Sequence, residues 1–232
     1  MRRFLLTISF LAMVGFAQAQ WTLRSYGEYG YTRTGGNRCS LALLADYQFN
    51  DYFKGGVSLQ GTLGYPLSMN LYWQADLLQA KCGTLYLENR YLYRLFPNYK
   101  LQEFNGVLDL GWKNRHFNFQ LGLCNRFVAE IPLRKDGGMG TIFEPMNVVF
   151  SVEGNVFDQT HPWNIGGRIS NFDDFLIERV SIFIYCIKGY YELSDGLRLI
   201  GEVCIHPCSS LNLSAQSNGV AARVGISWTP KK

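Results

Sequence analysis

The stretch "CIHPCSS" places a possible general base, His206, close to three possible nucleophiles, Cys208, Ser209 and Ser210. A histidine beside a serine or cysteine can activate it as a nucleophile, so these residue types would suit hydrolysis of an acyl bond. The sequence contains no HExxH, GxSxG or phosphate-binding loop to support such chemistry. We therefore expect His206 to be structural and the protein to be non-enzymatic, with no metal and no cofactor.

A second set of residues that could take part in chemistry consists of acids and bases at alternate positions of apolar segments. Successive side chains of a strand point to opposite faces, so these charges would share the face opposite the apolar one. Acids and bases are nearly equal in number on it, which predicts ion pairs in a confined interior, because an unpaired buried charge is costly. The predicted interior charge network comprises Asp76, Glu88, Arg90, Asp109, Arg126, Glu153, Arg168, Glu202 and Arg223.

The chain has six cysteines, and none of them forms a Cys-x-x-Cys pair. Their scattered spacing argues against a disulfide framework and against a metal site. We expect them to act as small apolar side chains, with a bridge between Cys204 and Cys208 as the minor alternative.

The first residues have the layout of a secretory signal peptide. Arg2 and Arg3 precede an apolar run from Phe4 to Phe16, and the triplet Ala17-Gln18-Ala19 suits cleavage after Ala19. The apolar run is too short to cross a membrane comfortably. We expect residues 1–19 to be removed and residues 20–232 to form one exported domain.

Segments that alternate between apolar and polar residues recur along nearly the whole mature chain. Each has about the length that a tilted strand needs to cross a bilayer. Twelve can be counted, or ten if the first or the ninth is misread: Trp21–Tyr31, Arg38–Phe49, Tyr52–Tyr65, Ser68–Gln79, Thr84–Leu95, Leu101–Lys113, His116–Glu130, Met146–Phe157, Trp163–Phe172, Ile177–Leu193, Leu197–Cys208 and Asn218–Trp228.

The connections between these segments alternate in length. Tight turns follow even-numbered segments, at Asn50-Asp51, Asn114-Arg115 and Ser194-Asp195-Gly196. Longer connections follow odd-numbered segments, at Thr32–Asn37, Ile131–Pro145 and Ser209–Ser217, although those near Pro66 and Asp173 look short. The loop Ile131–Pro145 also carries apolar residues, so it could plug the barrel mouth, dock on a partner or contact lipid. Short turns at one end and longer loops at the other are typical of outer-membrane barrels.

The apolar face decides whether the sheet lies in water or in lipid. A soluble sandwich or a periplasmic ligand-binding barrel would turn that face inward, but it is larger than one core of this size needs. Aromatic residues also lie where this face meets the turns, as in the girdle at a membrane interface. The predicted girdle comprises Tyr47, Phe49, Trp112, Phe117, Trp163, Tyr191 and Trp228. We therefore predict an all-β, closed antiparallel up-and-down transmembrane barrel of about twelve strands, with ten possible.

The signal segment, the amphipathic segments and the final segment "GVAARVGISWTP" together resemble a bacterial outer-membrane β-barrel. The "AQAQ" end of the signal and the hairpins rich in Tyr, Asn and Gly are similar to small barrel proteins of Bacteroidota. Trp228 is followed by four more residues, which departs from the aromatic end common in this class. The resemblance implies an outer-membrane location with both termini in the periplasm.

The expected function is that of a narrow pore, or of a scaffold that binds an envelope protein partner. A lipid hydrolase using His206 and a soluble periplasmic binding barrel are the alternatives, although Cys208 breaks the His-x-Ser arrangement of outer-membrane lipid hydrolases. The formal net charge is +4, but no basic run or stripe indicates nucleic-acid binding. Membrane lipids and lipopolysaccharide are the expected partners, and Arg134 and Lys135 could contact the latter. No feature of the sequence sets the oligomeric state.

Overall fold

The structure is a computed structural model that describes residues 20–32, 36–62, 67–96, 100–130, 142–158, 161–177, 182–206 and 219–230. The predicted signal peptide and the residues Arg134, Lys135, Cys208, Ser209 and Ser210 lie outside the described residues. The described part contains no helix that is long and apolar enough to cross a membrane.

Twelve antiparallel strands close into a single barrel, which confirms the predicted fold class and the larger of the two strand numbers. Each strand pairs with its neighbours in the sequence, so the topology is up-and-down. The strands are β1 (Gln20–Thr32), β2 (Gly36–Asn50), β3 (Phe53–Thr62), β4 (Ser68–Ala80), β5 (Gly83–Phe96), β6 (Leu101–Lys113), β7 (Phe117–Glu130), β8 (Ile142–Asn155), β9 (Trp163–Ser170), β10 (Ile184–Ser194), β11 (Leu197–His206) and β12 (Gly219–Trp228).

The first and last strands close the barrel. Residues of β1 and β12 are in register from Leu23 opposite Trp228 to Thr32 opposite Gly219. Because every other neighbouring pair is also hydrogen-bonded, the strands present no open edge. A closed sheet is the form in which strands can cross lipid, where unpaired backbone groups have no water to bind.

Most of the large apolar side chains of the described strands point outward. Val224 and Leu71 are 62% and 56% exposed, whereas Ala42 on the inward face is 1% exposed. Arg223, the neighbour of Val224, is buried inside the barrel. Soluble proteins do not expose apolar surface on this scale, so the outer face suits lipid and the soluble binding barrel is not supported.

The two ends of the barrel differ. The turns after β2, β4, β6, β8 and β10 lie at one end, together with Gln20 at the start of β1 and Trp228 at the end of β12. We call this the turn end, and the opposite one the loop end. Residues Ile142–Pro145, predicted as part of a long loop, belong to β8 instead, and residues 131–141 of that loop lie outside the described residues.

The connection between β9 and β10 corrects the sequence prediction. β9 ends at Ser170 and β10 begins at Ile184, although Phe172 and Ile177 were predicted as strand residues and the connection looked short. Asn171 shows why β9 ends early: its side-chain amide donates to the carbonyl of Val148 at 2.9 Å, and its side-chain oxygen accepts from the amide of Phe150 at 2.8 Å. Asn171 thereby binds β8 through its side chain, and the residues that follow Asn171 turn into the lumen.

The prediction for the cysteines is wrong for one pair. Cys186 and Cys204 form a disulfide between residues that face each other on β10 and β11. This bond leaves no sulfur of Cys204 for the bridge to Cys208 that was the minor alternative. Cys39 and Cys82 are free and exposed, and Cys124 is free and buried.

The outward direction of the apolar face predicts how arginine substitutions depend on depth. Val224→Arg, near the middle of β12, should lower the free energy of unfolding by about 2–4 kcal/mol, whereas Leu193→Arg, beside the β10–β11 turn, should cost about 0–1 kcal/mol. Both residues are more than half exposed on the same face, which makes the pair matched. Urea unfolding of the barrel in lipid vesicles measures both values, and equal costs would contradict a lipid-facing exterior.

Candidate functional site

Residues 171–177, which we call the strap, leave β9 and fold into the barrel. Phe172, Phe175 and Leu176 are almost completely buried. The strap is compact because the side chain of Asp173 accepts a hydrogen bond from the amide of Phe175, and its own amide donates to the carbonyl of Leu176, both at 2.8 Å. This local bonding lets a short segment of backbone lie inside the lumen with its polar groups satisfied.

One side of the strap packs against the wall formed by β5 to β8. Phe172 and Ile177 pair with each other and belong to one apolar cluster with inward residues of four successive strands. These are Leu92, Val107, Cys124 and Val149.

The other side of the strap reaches the opposite wall. Phe175 packs with inward residues of β1 and β2, and its ring centroid lies 6.1 Å from that of Tyr26. Leu176 packs with Ile184 and with the disulfide between Cys186 and Cys204. The strap therefore spans the lumen from wall to wall and narrows it.

Charges hold the strap in place. Asp173 Oδ2 lies 2.8 Å from Arg223 Nη2 of β12, and Arg90 Nη1 of β5 donates to the Asp173 carbonyl at 3.2 Å. The guanidinium carbon of Arg90 also lies 5.0 Å from the ring centroid of Phe172. Asp174 has a longer contact, with 3.7 Å between its Oδ1 and Arg90 Nη1.

Three residues of the predicted charge network meet beside the strap. Arg168 Nη2 donates to Glu202 Oε1 at 2.9 Å, and Arg223 Nη1 donates to Glu202 Oε2 at 2.9 Å. Arg223 Nε also donates to Glu28 at 2.6 Å, and Arg38 donates to the same carboxylate at 2.8 Å. A continuous chain of charges thus connects β9 with β2 through β11, β12 and β1.

The other six predicted network residues also point inward, but the structure does not bring them into one network. They pair separately, as Glu88 with Arg90, Asp76 with Lys113 at 2.9 Å, Glu153 with Lys188 at 2.6 Å, Arg126 with Glu103 at 3.2 Å, and Asp109 with Gln120 at 3.4 Å.

Sequence reasoning missed five residues of this region: Arg24, Glu28, Arg38, Asp173 and Asp174. The alternation of residue types in β1 could have predicted that Arg24 and Glu28 point inward. Both lie at even positions, whereas the outward residues Leu23 and Tyr29 lie at odd positions. The two aspartates had no such signal, since they lie on the strap rather than on a strand.

Two cavities that share lining residues lie between the strap and the turn end. The larger, which we call the vestibule, has a volume of about 1080 Å³ and is bordered by the β4–β5 and β6–β7 turns. The smaller, which we call the inner chamber, has a volume of about 310 Å³ and lies against β9 to β12. Both cavities are lined by Arg24, Glu153, Asn155, Arg168, Asp174 and Lys188.

Cations outnumber anions in the vestibule lining. Eight cationic residues line it, namely Arg24, Lys54, Lys81, Arg90, Lys113, Arg115, Arg168 and Lys188. Four anionic residues line it, namely Glu88, Glu153, Asp158 and Asp174. Six of the eight cations are ion-paired, and Arg24, Lys113 and Arg168 have partners outside the lining, namely Asp46, Asp76 and Glu202. Lys54 and Lys81 have no ion pair in the described part of the chain, so the lining keeps a small positive excess, which favours anions.

His206 lies inside the barrel and is almost completely buried at the loop end of β11. Its Nδ1 has no hydrogen-bond partner among the described residues. The side chain does not face the outer surface where lipid substrates would lie.

All seven residues of the predicted girdle lie at the turn end. Phe49, Phe117, Trp163, Tyr191 and Trp228 are well exposed on the outer face, and Trp112 is half-buried. Tyr47 is only 7% exposed, because the rings of Trp21 and Phe49 flank it at centroid distances of 4.4 and 4.6 Å. Contact of these rings with the membrane interface stays a prediction.

No family model and no curated protein matches the chain. Several solved structures are similar to it. The KdgM porin, in complex with disordered oligogalacturonate, is 10% identical, with a TM-score of 0.59 over 90% of this chain and 99% of that one. The NanC porin is 11% identical, with a TM-score of 0.54 over 89% and 98%. The outer-membrane protein Omp33 of Acinetobacter baumannii is 10% identical, with a TM-score of 0.52 over 90% and 97%.

At this level of identity the likeness concerns the fold. The chain has the closed barrel fold of these bacterial outer-membrane porins. The likeness covers nearly all of each porin chain, so the three porin chains and this chain are similar in length.

Asp173 lies outside the strands and is the most strongly held acid of the strap. Burial by itself raises the pKa of its carboxyl, but the charges of Arg223 and Arg168 and the hydrogen bonds from Arg223 and the Phe175 amide outweigh burial. The pKa of Asp173 therefore lies well below its ordinary value. Such a group stabilises the fold above the unfolded-state pKa, about 3.9, and loses that contribution as the pH falls towards the folded-state pKa.

Asp173→Asn should consequently reduce the free energy of unfolding at pH 7 more than at pH 3. Asp51→Asn, a matched change at an exposed turn residue, should have little effect at either pH. Urea unfolding of the three proteins at the two pH values provides the measurement. A loss in Asp173→Asn that is the same at both pH values would show that the carboxylate charge does not hold the strap.

Proposed function

We propose that the protein is a non-enzymatic outer-membrane pore for small solutes, with a preference for anions and with the strap as its constriction. The observation that carries this proposal is the vestibule, which opens at the turn end, reaches the strap at Asp174 and has eight cationic and four anionic residues in its lining. A closed lumen filled only by paired charges would need no such cavity.

Lys54 gives the clearest argument for anion preference. It lines the vestibule, and no acid forms an ion pair with it in the described part of the chain. An unpaired cation in a confined lumen favours anions over cations, as charged rings do in selective channels. The KdgM porin, which shares the fold, was solved with oligogalacturonate, and a cation-rich lumen would suit an anionic solute of that kind here.

A scaffold for an envelope complex is the second candidate. The observation that favours it is the strap itself, which contacts both walls and narrows the lumen. A lipid hydrolase is less well supported, because His206 is buried and faces inward.

The proposed arrangement in the cell follows the general asymmetry of outer-membrane barrels. We assign the turn end to the periplasm and the loop end to the exterior, where lipopolysaccharide would surround the barrel. The "AQAQ" segment and the Tyr-rich hairpins support an origin in a Bacteroidota envelope, and an envelope protein would be the partner if the scaffold role holds.

The strap predicts a specific change in conductance. Phe172→Ala combined with Phe175→Ala removes the contacts to both walls, and burial of each ring contributes about 3–5 kcal/mol in a packed core. Single-channel conductance in planar bilayers should rise severalfold over that of the unchanged protein. Phe119→Ala, which alters an exposed ring on the outer face that lines neither cavity, should leave conductance unchanged. Absence of conductance in every variant would favour the scaffold instead.

Lys54 predicts the selectivity. In a salt gradient of potassium chloride, the reversal potential of the unchanged protein should have the sign of an anion-preferring pore, and Lys54→Gln should move it towards zero. Lys100→Gln removes the same charge from an exposed position at the loop end and should move it far less. A cation-preferring potential, or an equal shift in the two variants, would contradict the assignment of selectivity to the vestibule.

A further inference from the structure

Asp174 occupies an unusual position for a strap residue, because it lines both the vestibule and the inner chamber. Arg24 of β1 and Arg168 of β9 line the same two cavities, and Arg90 of β5 lies 3.7 Å from the Asp174 carboxylate. The charges of Asp174 and Arg24 also attract each other. The Asp174 carboxylate thus contacts Arg90 and shares both cavities with two further guanidinium groups, which come from other walls.

We propose that Arg24, Arg90 and Arg168 form a binding site for the carboxylate of a small organic solute, and that Asp174 is a tethered occupant which the solute displaces. This inference rests on the proposed pore, and it names the class of solute. Guanidinium groups bind carboxylates through charge-assisted hydrogen bonds, which explains why the strap presents a carboxylate to the same arginines.

The two aspartates of the strap differ in how firmly they are held. The Asp173 side chain is 1% exposed and has a 2.8 Å ion pair with Arg223. The Asp174 side chain is 32% exposed, and it has no hydrogen bond among the described residues. Asp173 therefore anchors the strap, whereas Asp174 can leave its place without unfolding the strap.

The arginines retain capacity for a further ligand. Each arginine binds one acid of the barrel wall through Nη2, namely Asp46 for Arg24, Glu88 for Arg90 and Glu202 for Arg168. Nη1 of Arg24 and Nη1 of Arg168 form no hydrogen bond in the described part of the chain, although both residues line the two cavities. A guanidinium has five N–H donors, so these arginines can donate from Nη1 to the carboxylate of a ligand while Nη2 keeps its acid.

The inner chamber is large enough for the rest of such a solute. Its volume of about 310 Å³ lies at the lower end of the range for small-molecule sites. Tyr26, Tyr190 and Asn164 line it beside the arginines, and they offer ring surfaces and polar groups to an organic body. The proposed ligand is accordingly a small carboxylate with a polar organic body rather than an inorganic ion.

Citrate binding to the folded barrel in detergent tests the proposal by isothermal titration calorimetry. Asp174→Asn should bind citrate about tenfold more tightly than the unchanged protein, because a tethered occupant leaves the site free for only about a tenth of the time. Asp158→Asn is the matched control, since Asp158 also lines the vestibule but contacts Arg115 at the turn end. It removes the same charge and should change citrate affinity less than twofold. Arg24→Gln added to Asp174→Asn should abolish the gain.

Equal effects of Asp174→Asn and Asp158→Asn would show a general charge effect and overturn the tethered occupant. Absence of citrate binding in Asp174→Asn would overturn the site, and phosphate binding as tight as that of citrate would overturn the carboxylate class. Circular dichroism of each variant establishes that the barrel is folded. The binding measurement does not require conduction. Citrate binding without conductance would contradict the pore but not the site, and conductance without citrate binding would contradict the site but not the pore.

Discussion

Closure of the sheet is the constraint on which the rest of this structure depends. Strands in lipid must pair all their backbone groups with one another, and the register between β1 and β12 achieves this by joining the two ends of the sheet. Barrels of about eight strands are filled by their side chains, and barrels of 16–18 strands leave a channel. A barrel of twelve strands lies between these cases, so its lumen has room that side chains alone do not fill. The strap occupies part of that room.

The pairing of interior charges follows from the same closure. A charge that points into a narrow lumen is removed from most of the solvent, so it needs a partner. Near the strap this requirement is met by shared ion pairs, in which Arg223 binds Glu28, Glu202 and Asp173 together. Towards the turn end most charges of the vestibule are paired as well, but Lys54 and Lys81 line it without an ion pair in the described part of the chain. Closure of the lumen therefore accounts both for the paired charges around the strap and for the positive lining of the vestibule.

Much of the fold could be predicted from the alternation of residue types. That pattern determined the direction of Val224 and Arg223, and it predicted the strand number and the positions of the tight turns. It could not predict the strap, whose apolar residues make contacts inside the lumen, namely Phe172, Leu176 and Ile177. In the sequence these residues cannot be told apart from the apolar residues of a strand. The disulfide escaped prediction for a related reason. Cys186 and Cys204 are 18 residues apart, and only the register between β10 and β11 brings them together.

The central claim is that the strap lies packed inside the lumen, and hydrogen–deuterium exchange tests it most directly. The amides of Asp173 and Phe175 are hydrogen-bonded within the strap and shielded by both walls. In lipid nanodiscs, a peptide that covers residues 172–177 should exchange as slowly as the neighbouring strands β9 and β10, and far more slowly than the exposed turn at Asp195. Exchange of that peptide at the rate of the Asp195 turn would show a strap in water, and would contradict the constriction on which this account is built.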